Sequence, residues 1–182
     1  MYLLLTSFLF FNCKQAEGDN AYLENVQIDT AAISGIDTSN VSEKVNGWEY
    51  ETKTNKMTSN KDIYCSVRSN ESLNLEFPYN GINYGTLTVR KMNGEVDILI
   101  QIDKGQITGG YENEFFKTRF DDEKQITFSY LKSSDSSSDV IFVENTSKFL
   151  KKLKSSNKIL VQIPLFNNGD PILEFNTEGL KF

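Results

Sequence analysis

The chain has 182 residues, is 38% hydrophobic and 24% charged, and carries a net charge of −6. That length suits one domain with a tail, the composition is that of an ordinary globular fold, and the acidic balance disfavours nonspecific nucleic-acid binding. There is no histidine, which excludes His-based triads, Cys-His dyads and His-ligated zinc and removes the commonest general acid–base residue. A non-enzymatic protein without cofactor or metal is therefore the expectation.

The first segment, Tyr2 to Phe11, is apolar apart from Thr6 and Ser7. At about ten residues it is roughly half the length of a membrane-spanning helix. It has the length of the apolar region of a secretory signal. Phe10-Phe11-Asn12-Cys13 resembles the lipobox of a bacterial lipoprotein, in which the cysteine is acylated and becomes the first mature residue. Asn12 stands where a small residue is usual, and no basic residue precedes Lys14. The resemblance implies a signal peptide over residues 1–12 and a lipid on Cys13. The protein would then be exported and membrane-anchored in the cell envelope, at the outer membrane.

The only other cysteine is Cys65. Ile63, Cys65 and Val67 alternate with more polar residues, so Cys65 is expected to face a core. A buried free thiol behaves as a small hydrophobe. The alternative is a Cys13–Cys65 disulfide in an exported protein.

Residues 13–46 show no sustained period and read as a flexible, lipid-anchored tether. From Gly47 the pattern turns to strands. Trp48–Glu51, Asp62–Arg68 and Ser72–Phe77 alternate, the last with Leu73, Leu75 and Phe77 on one face. Thr86–Met92 and Glu95–Ile102 flank Asn93-Gly94, the pair that favours a type I′ hairpin turn. That turn predicts Met92 opposite Glu95, Arg90 opposite Asp97, Val89 opposite Ile98 and Leu87 opposite Ile100. Phe116–Phe120 and Ile126–Tyr130 predict a second hairpin. A polar loop (Ser133–Asp139), a strand (Val140–Val143) and a helix over about Thr146–Ser155 follow, the helix capped by Asn145 or Thr146. In it Phe149, Leu150 and Leu153 share a face. Lys158–Phe166 and Ile172–Phe175 predict the last strands, with Pro164 marking an edge or an end. Residues 47–182 thus read as a mainly β domain, a β-sandwich or open barrel of antiparallel strands with one short helix near the C-terminus.

Candidate binding residues follow from this layout. Phe77–Gly85 is an aromatic loop leading into the central hairpin. Tyr79, Tyr84 and Trp48 suggest a platform for a sugar or a peptide, against the plainer reading that they cover the core. Arg90 and Arg119 could clamp a carboxylate or phosphate. The plainer reading pairs Arg90 with Asp97 across the hairpin and Arg119 with Asp121 or Asp122. Lys148, Lys151, Lys152 and Lys154 concentrate positive charge for an anionic lipid, glycan or acidic partner, or simply form a solvated helix face. Neither Asp121-Asp122-Glu123 nor Asp135 with Asp139 has calcium-loop spacing. A carboxylate-dependent glycan hydrolase stays open as an alternative, because its pair of acids is defined by geometry.

The order Trp48, Met57-Thr58-Ser59, Leu87-Thr88-Val89-Arg90, Thr118-Arg119-Phe120-Asp121, Phe149-Leu150 and Phe175-x-x-x-Gly179-Leu180 resembles the β-rich exported accessory proteins of type VI secretion, of the VasI/TagO kind. The resemblance covers about Gly47 to Phe182. It implies a non-enzymatic envelope protein with a β-sandwich that binds a protein or cell-wall partner. That group often carries a cysteine after the central arginine, where this chain has Lys91. No role of that cysteine transfers. A structural or adhesive surface lipoprotein is the further alternative.

Overall fold

The computed structural model describes residues 40–45, 47–109 and 114–182. The expected signal peptide, Cys13 and most of the expected tether lie outside the described residues.

In chain order the elements are β1 (Asn40–Val45), β2 (Trp48–Thr54), β3 (Lys61–Arg68), β4 (Leu73–Asn74), β5 (Ile82–Asn83), β6 (Gly85–Met92), β7 (Glu95–Ile102), β8 (Phe115–Phe120), β9 (Ile126–Lys132), β10 (Val140–Val143), α1 (Thr146–Leu153), β11 (Lys158–Gln162) and β12 (Ile172–Asn176). Ten strands form one antiparallel sheet in the order β1-β2-β3-β6-β7-β10-β9-β8-β11-β12, and β4 pairs with β5 alone. The boundary expected at Gly47 falls inside the β1–β2 turn, since β1 pairs with β2 from Val45↔Trp48 to Asn40↔Lys53.

The β6–β7 hairpin has the register that Asn93-Gly94 dictates. Arg90 faces Asp97, Val89 faces Ile98, and Leu87 faces Ile100. Asn93 and Gly94 sit at φ +52° and +89°, the two positive values that a type I′ turn requires. One face of every long strand from β3 onward then turns inward. Cys65, Val67, Leu87, Val89, Ile98, Ile100, Phe116, Phe128, Ile159, Val161, Leu173 and Phe175 are all buried. Each such side chain contributes about 1.5–3 kcal/mol when fully withdrawn from water.

A flat sheet cannot bury one face by itself, so the sheet curls on itself. Gly85 of β6 comes against Leu173 of β12, so closely that a Cβ there would lie 2.5 Å from Leu173 Cδ1. Just past β3, the Asn70 N–H donates to the Glu174 carbonyl of β12 at 2.8 Å. Behind this seam the Tyr50 hydroxyl receives the Lys181 N–H at 3.0 Å and reaches the Gly179 carbonyl at 3.3 Å. No ladder joins β12 to β3, so the barrel stays open along this line.

Helix α1 rests its apolar face on the sheet. Asn145 caps it by accepting the Lys148 N–H at 3.2 Å, as an N-cap amide side chain does. Phe149 and Leu153 are fully buried. The Phe149 ring sits 5.1 Å from Phe128 and 5.3 Å from Phe120, edge to face in both cases, the arrangement that aromatic quadrupoles favour.

One expected strand is shorter than its pattern. Leu73 and Leu75 are buried but Phe77 is 81% exposed. The chain turns at Glu76, whose carbonyl accepts the Tyr79 N–H at 3.0 Å. Pro78 has no N–H to continue a ladder. Phe77 is therefore swung out of the face that Leu73 and Leu75 share.

Candidate functional site

The loop between β4 and β6 is the best-organised exposed feature of the domain. Its base is built on a buried amide. Asn83 is fully buried. Its Nδ2 donates to the Lys104 carbonyl at 2.7 Å, and its Oδ1 accepts the Lys104 N–H at 2.8 Å. Both halves of one amide are thereby satisfied by the backbone of a single residue on the strand-end beyond β7, which removes the cost of burying it.

Tyr84 is held next to this clamp. Its N–H donates to Asp103 Oδ2 at 3.1 Å, and the same carboxylate oxygen receives the Arg68 guanidinium at 2.6 Å. The guanidinium carbon lies 4.3 Å from the centre of the Tyr84 ring, within cation–π range. Tyr84 is thus covered by a cation of the protein itself and is not a free platform. Tyr79 packs against the core, and Trp48 is fully buried. The expected platform of Tyr79, Tyr84 and Trp48 does not assemble, because their apolar surfaces are spent on the core and on Arg68.

What the loop presents instead is its tip. Phe77 is 81% exposed and Ile82 is 73% exposed. The Glu76 N–H donates to Asn168 Oδ1 at 2.6 Å, while Asn168 Nδ2 donates to the Phe166 carbonyl at 3.0 Å. Phe77 and Phe166, itself exposed, therefore leave the backbone at the two ends of one asparagine bridge. Ile82 pairs with Asn74 in the β4–β5 hairpin. Sequence pattern missed this trio. Pro78 directly after Phe77 was the signal that Phe77 leaves the strand.

The arginines part company. Arg90 Nε meets Asp97 Oδ2 at 2.9 Å, and its guanidinium carbon lies 5.2 Å from the Phe142 ring centre. That is the structural reading of Arg90. Arg119 does not pair with Asp121. The Asp121 carboxylate accepts the Asn157 and Lys158 N–H groups, each at 2.9 Å, from a turn position at φ +45°. Arg119 is exposed on the outer face of β8, in a hollow with Lys117, Gln125, Leu160, Gln162 and Ile172.

The lysines of α1 are largely engaged internally. Lys152 pairs with Glu123. Lys148, Lys152 and Lys154 lie 5.4, 5.6 and 5.6 Å from the ring centres of Phe128, Phe120 and Phe182. Their stems cover aromatic surface and their charges sit at the water, as long cationic side chains do.

Three groups titrate far from their usual range, all away from the loop tip. Burial pushes the Cys65 thiol up to about 11, with Lys154 opposing. Burial, and then the nearby Glu114 charge, push the Tyr130 phenol up to about 12. Hydrogen bonds from Ser137, backbone first, hold Asp135 down at about 2. Asp135 Oδ1 accepts the Ser137 N–H at 2.9 Å, a turn motif.

No family model matches the chain, and no curated protein matches it. Among solved structures it is similar to the crystal structure of invasion associated protein b from Bartonella henselae, at 12% identity and a TM-score of 0.49. That match covers 76% of this chain and 90% of the other.

Proposed function

We propose that this is a non-enzymatic protein of the bacterial cell envelope, lipid-anchored through Cys13, whose β domain grips a protein or cell-wall partner with the tip formed by Phe77, Ile82 and Phe166. The observation that carries the reading is Phe77, 81% exposed beside a hydrogen bond of 2.6 Å from the N–H of its neighbour Glu76 to the Asn168 side chain. An apolar ring held in water on a fixed backbone is costly to the free protein and useful to a partner, since little order remains to be imposed on binding. The apolar run ending at Cys13 supports export and anchoring. The lack of histidine supports binding over catalysis. The resemblance to VasI/TagO-type proteins supports an accessory role in secretion as the particular form of that binding.

The test uses the full chain in cells. Membrane fractionation and mass measurement of the mature N-terminus compare the wild type with Cys13→Ala. A photoreactive phenylalanine at position 77 reports contacts. The expected result is an acylated N-terminus, release of Cys13→Ala from membranes, and a discrete crosslinked partner. A soluble, unmodified wild type overturns the anchor. Absence of any crosslink from position 77 in the anchored protein overturns the tip as the binding site and leaves a structural role.

A further inference from the structure

The outer face of β8 and β11 carries a separate feature that involves no residue of the Phe77 loop. Lys117 and Arg119 occupy alternate positions of β8, so both side chains project to the same side, about 7 Å apart along the strand. Arg119 lies opposite Leu160 and Lys117 opposite Gln162, and Gln162 lies opposite Ile172. With Gln125 these residues line a shallow hollow of about 160 Å³.

Arg68 and Arg90 each hold an aspartate. Neither Lys117 nor Arg119 forms an ion pair with any carboxylate among the described residues. Two of the nearby acids are already committed. Asp121 accepts two backbone N–H groups, and Glu174, opposite Leu160, is held by Asn70 at 2.9 Å and faces Lys158 at 3.8 Å. On a chain of net charge −6, two adjacent cations that form no ion pair among the described residues, beside an apolar flank, are an unused electrostatic site.

We propose that this hollow binds an extended acidic peptide segment with carboxylates on alternate residues. Alternate side chains of an extended peptide also fall on one side about 7 Å apart, which matches the spacing of Lys117 and Arg119. The guanidinium fork takes one carboxylate in a bidentate contact, and the ammonium takes the other as a point charge. Gln125 lies to one side and Gln162 to the other, and Leu160 and Ile172, on the strands alongside β8, give the methylene groups of the peptide an apolar flank. No aromatic residue lines the hollow, so a sugar ring finds no face on which to stack, and the peptide is the better occupant.

The test titrates the full chain against a fluorescent peptide with two glutamates at alternate positions. A counterpart with glutamine for glutamate is the control. The expected result is at least roughly tenfold tighter binding of the glutamate peptide, a loss of roughly tenfold in Arg119→Gln, and a smaller loss in Lys117→Gln, as for removal of charge-assisted bonds. Binding also weakens as salt rises from about 50 to about 300 mM. Circular dichroism and the urea midpoint confirm that the variants are folded. Equal binding of the two peptides, or an unchanged affinity in a folded Arg119→Gln protein, overturns the proposal. Arg119-dependent binding of oligogalacturonate without binding of the peptide also overturns it and assigns the site to a carboxylated glycan.

Discussion

Asn83 holds the backbone of a single residue, Lys104, on both sides: its Nδ2 donates to the Lys104 carbonyl at 2.7 Å and its Oδ1 accepts the Lys104 N–H at 2.8 Å. The clamp ties the short β4–β5 hairpin to the strand-end after β7, and Asn83 is the last residue of β5 before the central hairpin begins at Gly85. Its loss therefore affects both stability and the placement of the exposed tip.

Asn83→Leu removes both bonds to Lys104 and puts an apolar side chain in their place. A cost of about 1–3 kcal/mol is expected, since each lost hydrogen bond is worth about 0.5–1.5 kcal/mol. Asn83→Asp retains the acceptor but sets a carboxylate against the Lys104 carbonyl, and it should be no milder. Urea unfolding measures the cost. Limited proteolysis between Phe77 and Gly85 should accelerate in both variants.

Phe77→Ser separates function from fold. The ring is largely in water, so the change is expected to shift stability by no more than about 0.5 kcal/mol, as for surface substitutions generally. Leu75→Ser, two residues earlier and buried at 6% exposure, should cost several times more. Thermal melts of the pair check this contrast. Partner capture should fall with Phe77→Ser although the melting temperature does not.

The contrast between Leu75 and Phe77 also shows what sequence pattern can and cannot read. Alternation made Leu73, Leu75 and Phe77 equivalent, and only Pro78 marked where the strand ends. The β6–β7 register was legible to the residue because Asn93-Gly94 admits one turn geometry and a one-residue slip would turn every apolar side chain outward. Cys65 was legible as core for the same reason. The hollow at Arg119 was not, since it depends on Leu160 and Gln162 from a strand some forty positions later, and long-range neighbours leave no local period. The pairing expected between Arg119 and Asp121 fails because Asp121 sits in a turn and serves the Asn157 and Lys158 N–H groups. Strand β1 escaped notice because Asn40–Val45 has only Val41 and Val45 as apolar residues.

Alkaline pH should destabilise the domain through Cys65 and Tyr130. Both groups are acids whose neutral form the fold favours, raised from 9.0 to about 11 and from 10.0 to about 12. Above pH 9 the unfolded chain releases these protons first. The native state then holds more protons than the unfolded state, so stability falls with rising pH. The contribution is complete below about pH 9 and is lost progressively up to about pH 12, with a slope of at most about 1.4 kcal/mol per pH unit from each group. Urea midpoints between pH 7 and pH 11 measure this. Tyr130→Phe should flatten the upper part of the curve. It should cost little at pH 7, because the buried Tyr130 hydroxyl has no hydrogen-bond partner among the described residues. In the native state Cys65 should react with thiol reagents only as fast as the domain opens.

Gly85 and Leu173 test the closure of the sheet. The side-chain position of Gly85 is occupied by Leu173, with Cδ1 at 2.5 Å and Cδ2 at 2.8 Å from where a Cβ would stand. Leu173 is itself 1% exposed, so it has nowhere to retreat. Gly85→Ala is expected to cost about 1–3 kcal/mol, the usual penalty for overpacking a core, in place of the gain that alanine normally brings to a strand interior. Leu173→Ala alone leaves a cavity and should cost about 2–5 kcal/mol. If the two side chains compete for one space across the seam, the added methyl fills part of that cavity. The double variant should then be more stable than the sum of the single costs by about 1 kcal/mol or more, within the range of coupling between residues in contact. Strict additivity in urea unfolding would mean that β6 and β12 do not pack face to face.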